Sequence, residues 1–556
     1  MTTRFYDQHR ETLEKAIEAT HTREYWSPYP EAPSGKVYGE SAPAEGKAAF
    51  EAMLNSPFSL EMPGITGEVG GEVSPYGFEL GIKYPQVDID QLIPAMESSI
   101  ASWRDAGPQV RAGVCLEILH RLNQRSFELA HAVMHTTGQG FAMAFQAGGT
   151  HAQDRGLEAV AYAYEAMTRT PAEASWVKPQ GKHDPLRMDK RFHVIPRGIA
   201  LNVGVSTFPT WNGYPGLFAS LVTGNPVVVK PHPDTVLPFA ITVKVAQEVL
   251  KEAGFDPWIV SLVVDEREKP VTKELALRPE IRIIDFTGSS EFGNWLEDNA
   301  RQAEVYTEKA GVNCIVIDST DDLKGMIRNL SFSLSLYSGQ MCTTPQDIFI
   351  PRDGIETDQG HLGFDEVAKA IAEGVGKFLS DNDRACAVLG AVQSEVTAKR
   401  IDEAAGLGEV VLASEAREHP EFPGARVRTP VIVKLDGSEV AKYSREMFGP
   451  ISFLIATDST EDSIEKARGL GREKGAITWG IYSTSESVLD AMETAALDAG
   501  VALSCNLTGG VFVNQTAAFS DFHATGGNPS ANACLCDSAF VANRFRVVES
   551  RRHAAA

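Results

Sequence analysis

The stretch Ser338-Gly339-Gln340-Met341-Cys342-Thr343-Thr344 holds a thiol in a small, polar, glycine-containing loop, a setting in which a cysteine nucleophile can be reached. An unperturbed thiol, with a pKa near ~8.5, is only a few per cent ionised at neutral pH, so a working site needs N–H dipoles or a base to raise the thiolate fraction. The loop glycine and the flanking hydroxyls suit that need. Alone, Cys342 would be one of seven cysteines, and a lone cysteine is more often a small buried residue than a nucleophile.

What stands elsewhere along the chain changes that weighting. Phe286-Thr287-Gly288-Ser289-Ser290-Glu291-Phe292-Gly293 joins a strand-like run to a helix-like one, so backbone N–H groups and the helix dipole can face a pyrophosphate, although the usual G-x-G-x-x-G is missing. Lys230 closes an apolar run and is followed by Pro231 and His232, which puts an ammonium at a strand end. Glu308, in Thr307-Glu308-Lys309-Ala310-Gly311, is a carboxylate followed by residues that permit close backbone approach. Asn212, in Thr210-Trp211-Asn212-Gly213-Tyr214-Pro215, reads by itself as a turn residue. Glu446 and Phe448 flank Met447 ahead of a Gly449-Pro450 turn, which is ordinary loop grammar. Cys534-x-Cys536 with His523 and Cys505 lacks the paired spacing of a zinc site, so no metal is expected.

The elements that must position these residues alternate. Ile199–Ser206, Pro226–Lys230, Trp258–Val264 and Ile281–Phe286 read as short apolar strands, and Tyr214–Thr223, Val236–Gly254, Lys269–Leu277 and Glu291–Arg301 read as helices between and after them. Such alternation predicts a parallel, doubly wound sheet with ligands at the carboxyl ends of its strands, and a dinucleotide as the natural ligand. A second α/β region, from about Gly311 to Val513, carries Cys342 and Glu446. Upstream, Tyr6 to Thr20 reads as a helix, and the Pro-, Gly- and Ser-rich tract through Gly67 as a long loop or arm. Ile89, Leu92, Ile93, Met96, Ile100 and Trp103 recur at spacings of three and four, which predicts an amphipathic helix, followed by helices at Val114–Met134 and about His151–Met167. Trp176–Pro196 reads as a surface hairpin, and Phe540–Glu549 as a short β-prone tail.

With 556 residues, 43% hydrophobic and 22% charged, the chain reads as a soluble enzyme of two or three domains. A net charge of −23 repels a phosphate backbone, so nucleic acid is not an expected partner. No apolar run approaches the ~18 residues of a membrane span, and Met1–Ser27 lacks a signal-peptide core, which predicts a cytoplasmic protein. An odd, scattered set of seven cysteines predicts reduced thiols.

In this order, the motifs resemble those of the aldehyde dehydrogenase superfamily, from about Asp88 to near Val548. The resemblance implies an N-terminal extension (1–60), a dinucleotide-binding domain (61–175 and 199–310), a catalytic domain (311–535) and a β oligomerisation arm (176–198 and 536–556). It implies a tail that completes a neighbour's sheet and a homodimer or homotetramer. It implies that Cys342 attacks an aldehyde, that Asn212 and the Cys342 N–H hold the oxyanion, and that Glu308 is the base letting water release the thioester. Lys230 would contact the adenosine ribose, Gly288, Ser289 and Gly293 the pyrophosphate, Glu446 the nicotinamide ribose, and Phe448 would pack near the ring. The cofactor is NADP or NAD. Pro233 stands where NAD-preferring members carry a glutamate, an absence that leans the expectation to NADP, with His232 as an added donor.

The sequence departs from common members at Thr307–Gly311, at Pro233 and in Thr516–Asn532, where the usual Pro-Phe-Gly-Gly is absent and Phe519, Phe522 and His523 become candidates for the pocket wall. These departures, the extension and Tyr337–Cys342 resemble the phenylacetic acid degradation branch (PaaN type), which implies a semialdehyde from ring opening, with a coenzyme-A-linked one in view. The alternatives are a coenzyme-A-acylating dehydrogenase and a silent dinucleotide-binding protein; intact Cys342, Glu308, Asn212 and Lys230 weigh against the second.

Overall fold

Two sheets meet at the candidate site in the computed structural model, which describes residues 3–554. The first has five parallel strands in the order Glu304–Glu308, Ile281–Thr287, Ile199–Val203, Val227–Lys230, Val260–Leu262. Its strands read as apolar runs because both faces are covered. Alternate residues divide between two cores: Ile199, Leu201, Val228, Ile281 and Ile284 go to one face, and Ala200, Val227, Val229 and Ile283 to the other. The expected strands and helices of this half are present with their ends moved by a few residues, the helices as Pro209–Val222, Leu237–Glu252, Thr272–Leu277 and Ser290–Asn299. The edge strand Glu304–Glu308, with a glutamate at each end and its first three residues only partly buried, gave no apolar signal, yet it delivers Glu308.

The second sheet orders Glu409–Leu412, Val431–Asp436, Ile451–Thr457, Asp347–Pro351, Cys314–Ile317, Thr478–Tyr482 and Ala502–Cys505, all parallel except the first.

The helix expected over Tyr6–Thr20 is present as Arg4–Thr22, but the tract after it is not one long loop or arm, since it holds a second helix, Ala42–Met53. Helix Arg4–Thr22 and helix Ala42–Met53 bury Phe5, Leu13, Ala16 and Phe50 in the same core as Leu119, Leu157 and Val243. The second helix was hidden by Pro43 and Gly46. Pro43 occupies the first turn, where its missing N–H costs nothing. Gly46 is a packing residue: a Cβ there would fall 2.4 Å from the Phe127 Cβ. The helix expected over Val114–Met134 is two, Gly107–Gln124 and Ser126–Thr137, divided at Arg125.

The hairpin Glu173–Gln180 and His183–Pro196 gains a third strand from the tail, Phe545–His553, running from Phe545 opposite Pro196 to His553 opposite Met188. The tail therefore pairs with its own chain's hairpin, as the edge strand of a three-stranded sheet. Just before it, Arg544 is fully buried, bonded through both terminal nitrogens to Asp285 (2.8 and 2.5 Å) and to Ser220 Oγ at 2.7 Å, and packed over Phe540 and Tyr306. All seven thiols are free, and no helix among the described residues is long and apolar enough to cross a membrane.

Leu13→Ala should lower the unfolding free energy by about 2–5 kcal/mol in a urea titration, as for any well-packed core leucine. Leu186→Ala, on the exposed hairpin, should change it by under ~0.5 kcal/mol. Equally small effects would show that Arg4–Thr22 is not part of the core.

Candidate active site

The loop carrying Cys342 is built from an unusual turn. After helix Leu323–Ser335, three successive residues adopt left-handed backbone: Tyr337 (φ 51°), Ser338 (φ 49°) and Gly339 (φ 60°). A non-glycine residue in that region costs on the order of 1–3 kcal/mol unless its surroundings hold it. Here they do. Tyr337 Oη donates to Thr137 O at 2.6 Å and Ser338 Oγ to Leu389 O at 3.1 Å. The third position admits only glycine, because a Cβ would meet Gly449 O at 2.3 Å. Gln340 then clamps the loop, donating to Tyr337 O and Ala391 O and accepting from Gln393 N. Asn313, at the start of strand Cys314–Ile317, donates to Cys342 O (2.7 Å) and Thr344 O (3.2 Å).

The thiol meets two polar partners drawn from remote parts of the chain. Cys342 Sγ lies 3.6 Å from His523 Nε2, and the same nitrogen lies 3.2 Å from Glu308 Oε1. Asn212 Nδ2 donates to the other Glu308 oxygen at 3.1 Å. The donor atoms of Glu308, Cys342 and His523 all fall within 4.8 Å of one another. His523 is fully buried, fixed by backbone pairing with Leu535 and by the edge-on ring of Trp211 at 4.6 Å.

Electrostatics run against the first expectation for the thiol. Burial pushes Cys342 well above its ordinary value, and the charges of Glu308 and Glu446 push it further, so the loop dipoles do not by themselves deliver a thiolate. Burial also acts to raise Glu308, but the charge of His523 and the hydrogen bonds from His523, Cys342 and Asn212 outweigh it and hold the carboxyl below its usual range. Glu446 has no such compensation. Burial, aided by Glu308, pushes it up to about 7 against the opposing Gly311 N–H and Arg400.

A cavity of about 840 Å³ runs from Lys230 and His232 past Gly288 and Ser289 to Phe448, Glu446, Glu308, Asn212 and Cys342. Its size and its mixture of apolar walls with a few polar groups fit a dinucleotide whose reactive end reaches the thiol. Lys230 is ion-paired to Asp265 (2.7 Å) and donates to Pro231 O, while Arg267 is paired to Asp234. Ser289 caps helix Ser290–Asn299, its Oγ accepting from Phe292 N. Gly288 lines the cleft but spends its N–H on Glu308 O at 3.0 Å, so that donor is not free for a phosphate. Gly293 faces Lys309, where a Cβ would fall 2.6 Å from Cγ, and is not part of the cavity wall. Of the three residues expected at the pocket wall, only His523 reaches the site. Phe519 is buried against Trp26, and Phe522 is half exposed beneath Arg23. Asn313, Gln340 and Trp211 were missed; a polar residue opening an apolar strand was the one signal for Asn313.

Residues 82–504 match the Aldehyde dehydrogenase family. The chain is 23% identical over 477 residues to a 1-pyrroline-5-carboxylate dehydrogenase from Bacillus licheniformis, covering 83% of this chain and 82% of that one. It is 26% identical over 393 residues to an N-succinylglutamate 5-semialdehyde dehydrogenase from Burkholderia lata, covering 68% and 74%. Among solved structures it resembles that of an NAD-dependent aldehyde dehydrogenase from Burkholderia multivorans, with a TM-score of 0.98 and 57% identity over the whole of both chains. A Thermus 1-pyrroline-5-carboxylate dehydrogenase with bound NAD shares the fold at a TM-score of 0.74 and 19% identity, over 96% and 99% of the two chains.

A carboxyl whose pKa is higher in the folded chain than in the unfolded one adds stability below the unfolded value and loses it as the pH rises through the folded one. Relative to Glu446→Gln, the parent should therefore lose roughly 3 kcal/mol between about pH 4.5 and 7, a shift of ~1.4 kcal/mol per unit. Parallel stability curves for the two proteins in chemical denaturation across that range would refute the buried, unpaired assignment of Glu446.

Proposed function

Because the chain belongs to the aldehyde dehydrogenase family, we propose that it oxidises an aldehyde to a carboxylic acid with a nicotinamide dinucleotide, using Cys342 as nucleophile and Glu308 as hydrolytic base. The observation that carries this reading is the single cavity that joins Lys230 and Ser289 to Cys342, with Glu308 and Asn212 on its wall. When bound there, the dinucleotide supplies the hydride acceptor.

Cys342 Sγ adds to the carbonyl carbon and the C=O electron pair moves to oxygen. Asn212 has a second N–H beyond the one given to Glu308, and with the Cys342 N–H it receives that oxyanion. Once the carbon is oxidised, the acyl group remains on Sγ as a thioester. Glu308, held ionised by its partners, removes a proton from water, which attacks the acyl carbon and releases the acid and the thiol. A buried, ionised base beside the sulfur supports release by water over release by coenzyme A. Glu446 and Phe448 stand where the nicotinamide ribose and ring would rest, and Lys230 and His232 at the adenosine end.

NAD is the dinucleotide favoured by that end of the cleft. Pro233 removes one carboxylate, but Asp234, Asp265 and Glu266 line the same wall, and Lys230 and Arg267 are already paired with the first two of these. Among the described residues, Lys273, lying over Trp295, is the one lysine or arginine at this end without a carboxylate partner, against three carboxylates that would repel a 2′-phosphate. For the aldehyde, the wording of Tyr337–Cys342 and the amino-terminal segment support the phenylacetate-degradation branch and hence a ring-derived semialdehyde. The hairpin sheet, with exposed Val177, Leu186, Val547 and Val548, is the surface a second copy would cover.

Reduced-nicotinamide absorbance with a panel of aldehydes and semialdehydes, with and without coenzyme A, tests the scheme. Turnover should need no coenzyme A, favour NAD and vanish in Cys342→Ala. Asn212→Ala should lower kcat by about 10²–10³. Glu308→Gln should release one equivalent of reduced nicotinamide and then stall. Strict dependence on coenzyme A would overturn the role of Glu308, and a large advantage for NADP would overturn the dinucleotide assignment.

A further inference from the structure

Resting on the reading of Cys342 as nucleophile, we infer that His523 is its proton acceptor: the Sγ–H proton moves to His523 Nε2, and the resulting imidazolium, lodged between Cys342 Sγ and Glu308, maintains a thiolate before any dinucleotide or aldehyde binds. The S–H bond breaks, the N–H bond forms, and no electron changes hands.

The argument begins with charge. Cys342 is a part-buried thiol facing two carboxylates, Glu308 and Glu446, and a thiolate added to that set without a cation would be the third negative group on one cavity wall. The other bases nearby are committed elsewhere. Lys230 is paired to Asp265, and Lys309 points to Asn294 and Glu297. Arg400 donates to Phe448 O. Arg155 binds Glu158 and lies beyond Trp211, 5.2 Å from its ring. Glu308 reaches the sulfur as a carboxylate, and of the nearby basic side chains only His523 touches it.

Geometry agrees with charge. At 3.6 Å, the Sγ to Nε2 separation is a hydrogen bond to sulfur, and at 3.2 Å the carboxylate is placed to accept the Nε2 proton once it has arrived. For Nε2 to take the thiol proton the neutral ring must carry its own proton on Nδ1, which is buried without a partner. The ring cannot swing away, since Leu535 pairs with its backbone and Trp211 abuts its face. The titratable groups facing it are Cys342 and Glu308 directly, Glu446 across the thiol, and Cys534 at its backbone. The arrangement also explains why Glu308 remains an ionised base while enclosed: the imidazolium that makes the thiolate holds the carboxylate charged.

The test uses the full-length protein without dinucleotide, reading alkylation of the Cys342 peptide by iodoacetamide against pH by mass spectrometry. The parent should show its inflection at least one unit below the ~8.5 of a free thiol. His523→Gln should move the inflection up by more than one unit and slow alkylation at pH 7 by at least tenfold, with dinucleotide binding unchanged. An identical profile in His523→Gln overturns the proposal. Should that variant fail to fold, the far-ultraviolet thiolate absorbance of the parent, minus that of Cys342→Ser, decides instead. A thiolate signal at neutral pH supports the pair, and none below pH ~8.5 overturns it. Neither readout involves turnover, so a protein that alkylates as expected but oxidises no aldehyde would refute the dehydrogenase reading alone.

Discussion

One carboxamide, that of Asn313, fastens the nucleophile to the sheet. Its Nδ2 donates to Cys342 O and Thr344 O, its Oδ1 accepts from Ile477 N and Thr478 N, and its backbone oxygen accepts from Gln346 N and Asp347 N. Strands Cys314–Ile317, Asp347–Pro351 and Thr478–Tyr482 and the strained loop ahead of Cys342 thus converge on one buried residue. Each of those groups would cost about 1–3 kcal/mol if left buried and unpaired. The left-handed turn at Tyr337–Gly339 can be tolerated because its far end is tied down here.

The cofactor cleft and the chemistry are linked as tightly. Strand Ile281–Thr287 ends in the turn that lines the cleft, and that turn donates from Gly288 N to Glu308 O on the neighbouring strand. A displacement of the turn therefore moves the carboxylate's backbone, and through the carboxylate the contacts to Asn212 and His523. Binding at one end of the cavity and proton transfer at the other share one sheet edge.

What was legible in the sequence followed from burial on two faces. Val227–Val229 is apolar throughout and Ile281–Ile284 apolar but for Arg282 because both faces of their sheet are covered, so the strands of the parallel half could be anticipated. Cys342, Glu308, Asn212, Lys230 and Glu446 were legible through their motifs in order, and the cavity draws them together. Glu304–Glu308 was not, since an edge strand with charged ends has no apolar period. Helix Ala42–Met53 was masked by a proline and a glycine whose purposes are positional and steric. Gly293 reads identically whether it faces a ligand or Lys309. His523 could be seen as a pocket residue but not as a partner of Cys342, because the loop that presents it has no periodicity and its two partners lie far upstream. Spacing along a chain carries no information about a contact closed by tertiary packing alone.

Arg544 divides the carboxyl-terminal segment into two regimes. Up to that residue, Phe540, Val541 and the guanidinium are interior parts of the half built on the five-stranded sheet, bonded to Asp285 on that sheet and to Ser220 on a covering helix. Past it, Phe545 still packs into the core, and from Arg546 the strand is open and paired with the hairpin. Sequence drift among descendants of this chain should follow the same division: the first part can change only together with the partners of Arg544, whereas the second is free to diversify its outward face and with it the surface offered to other copies.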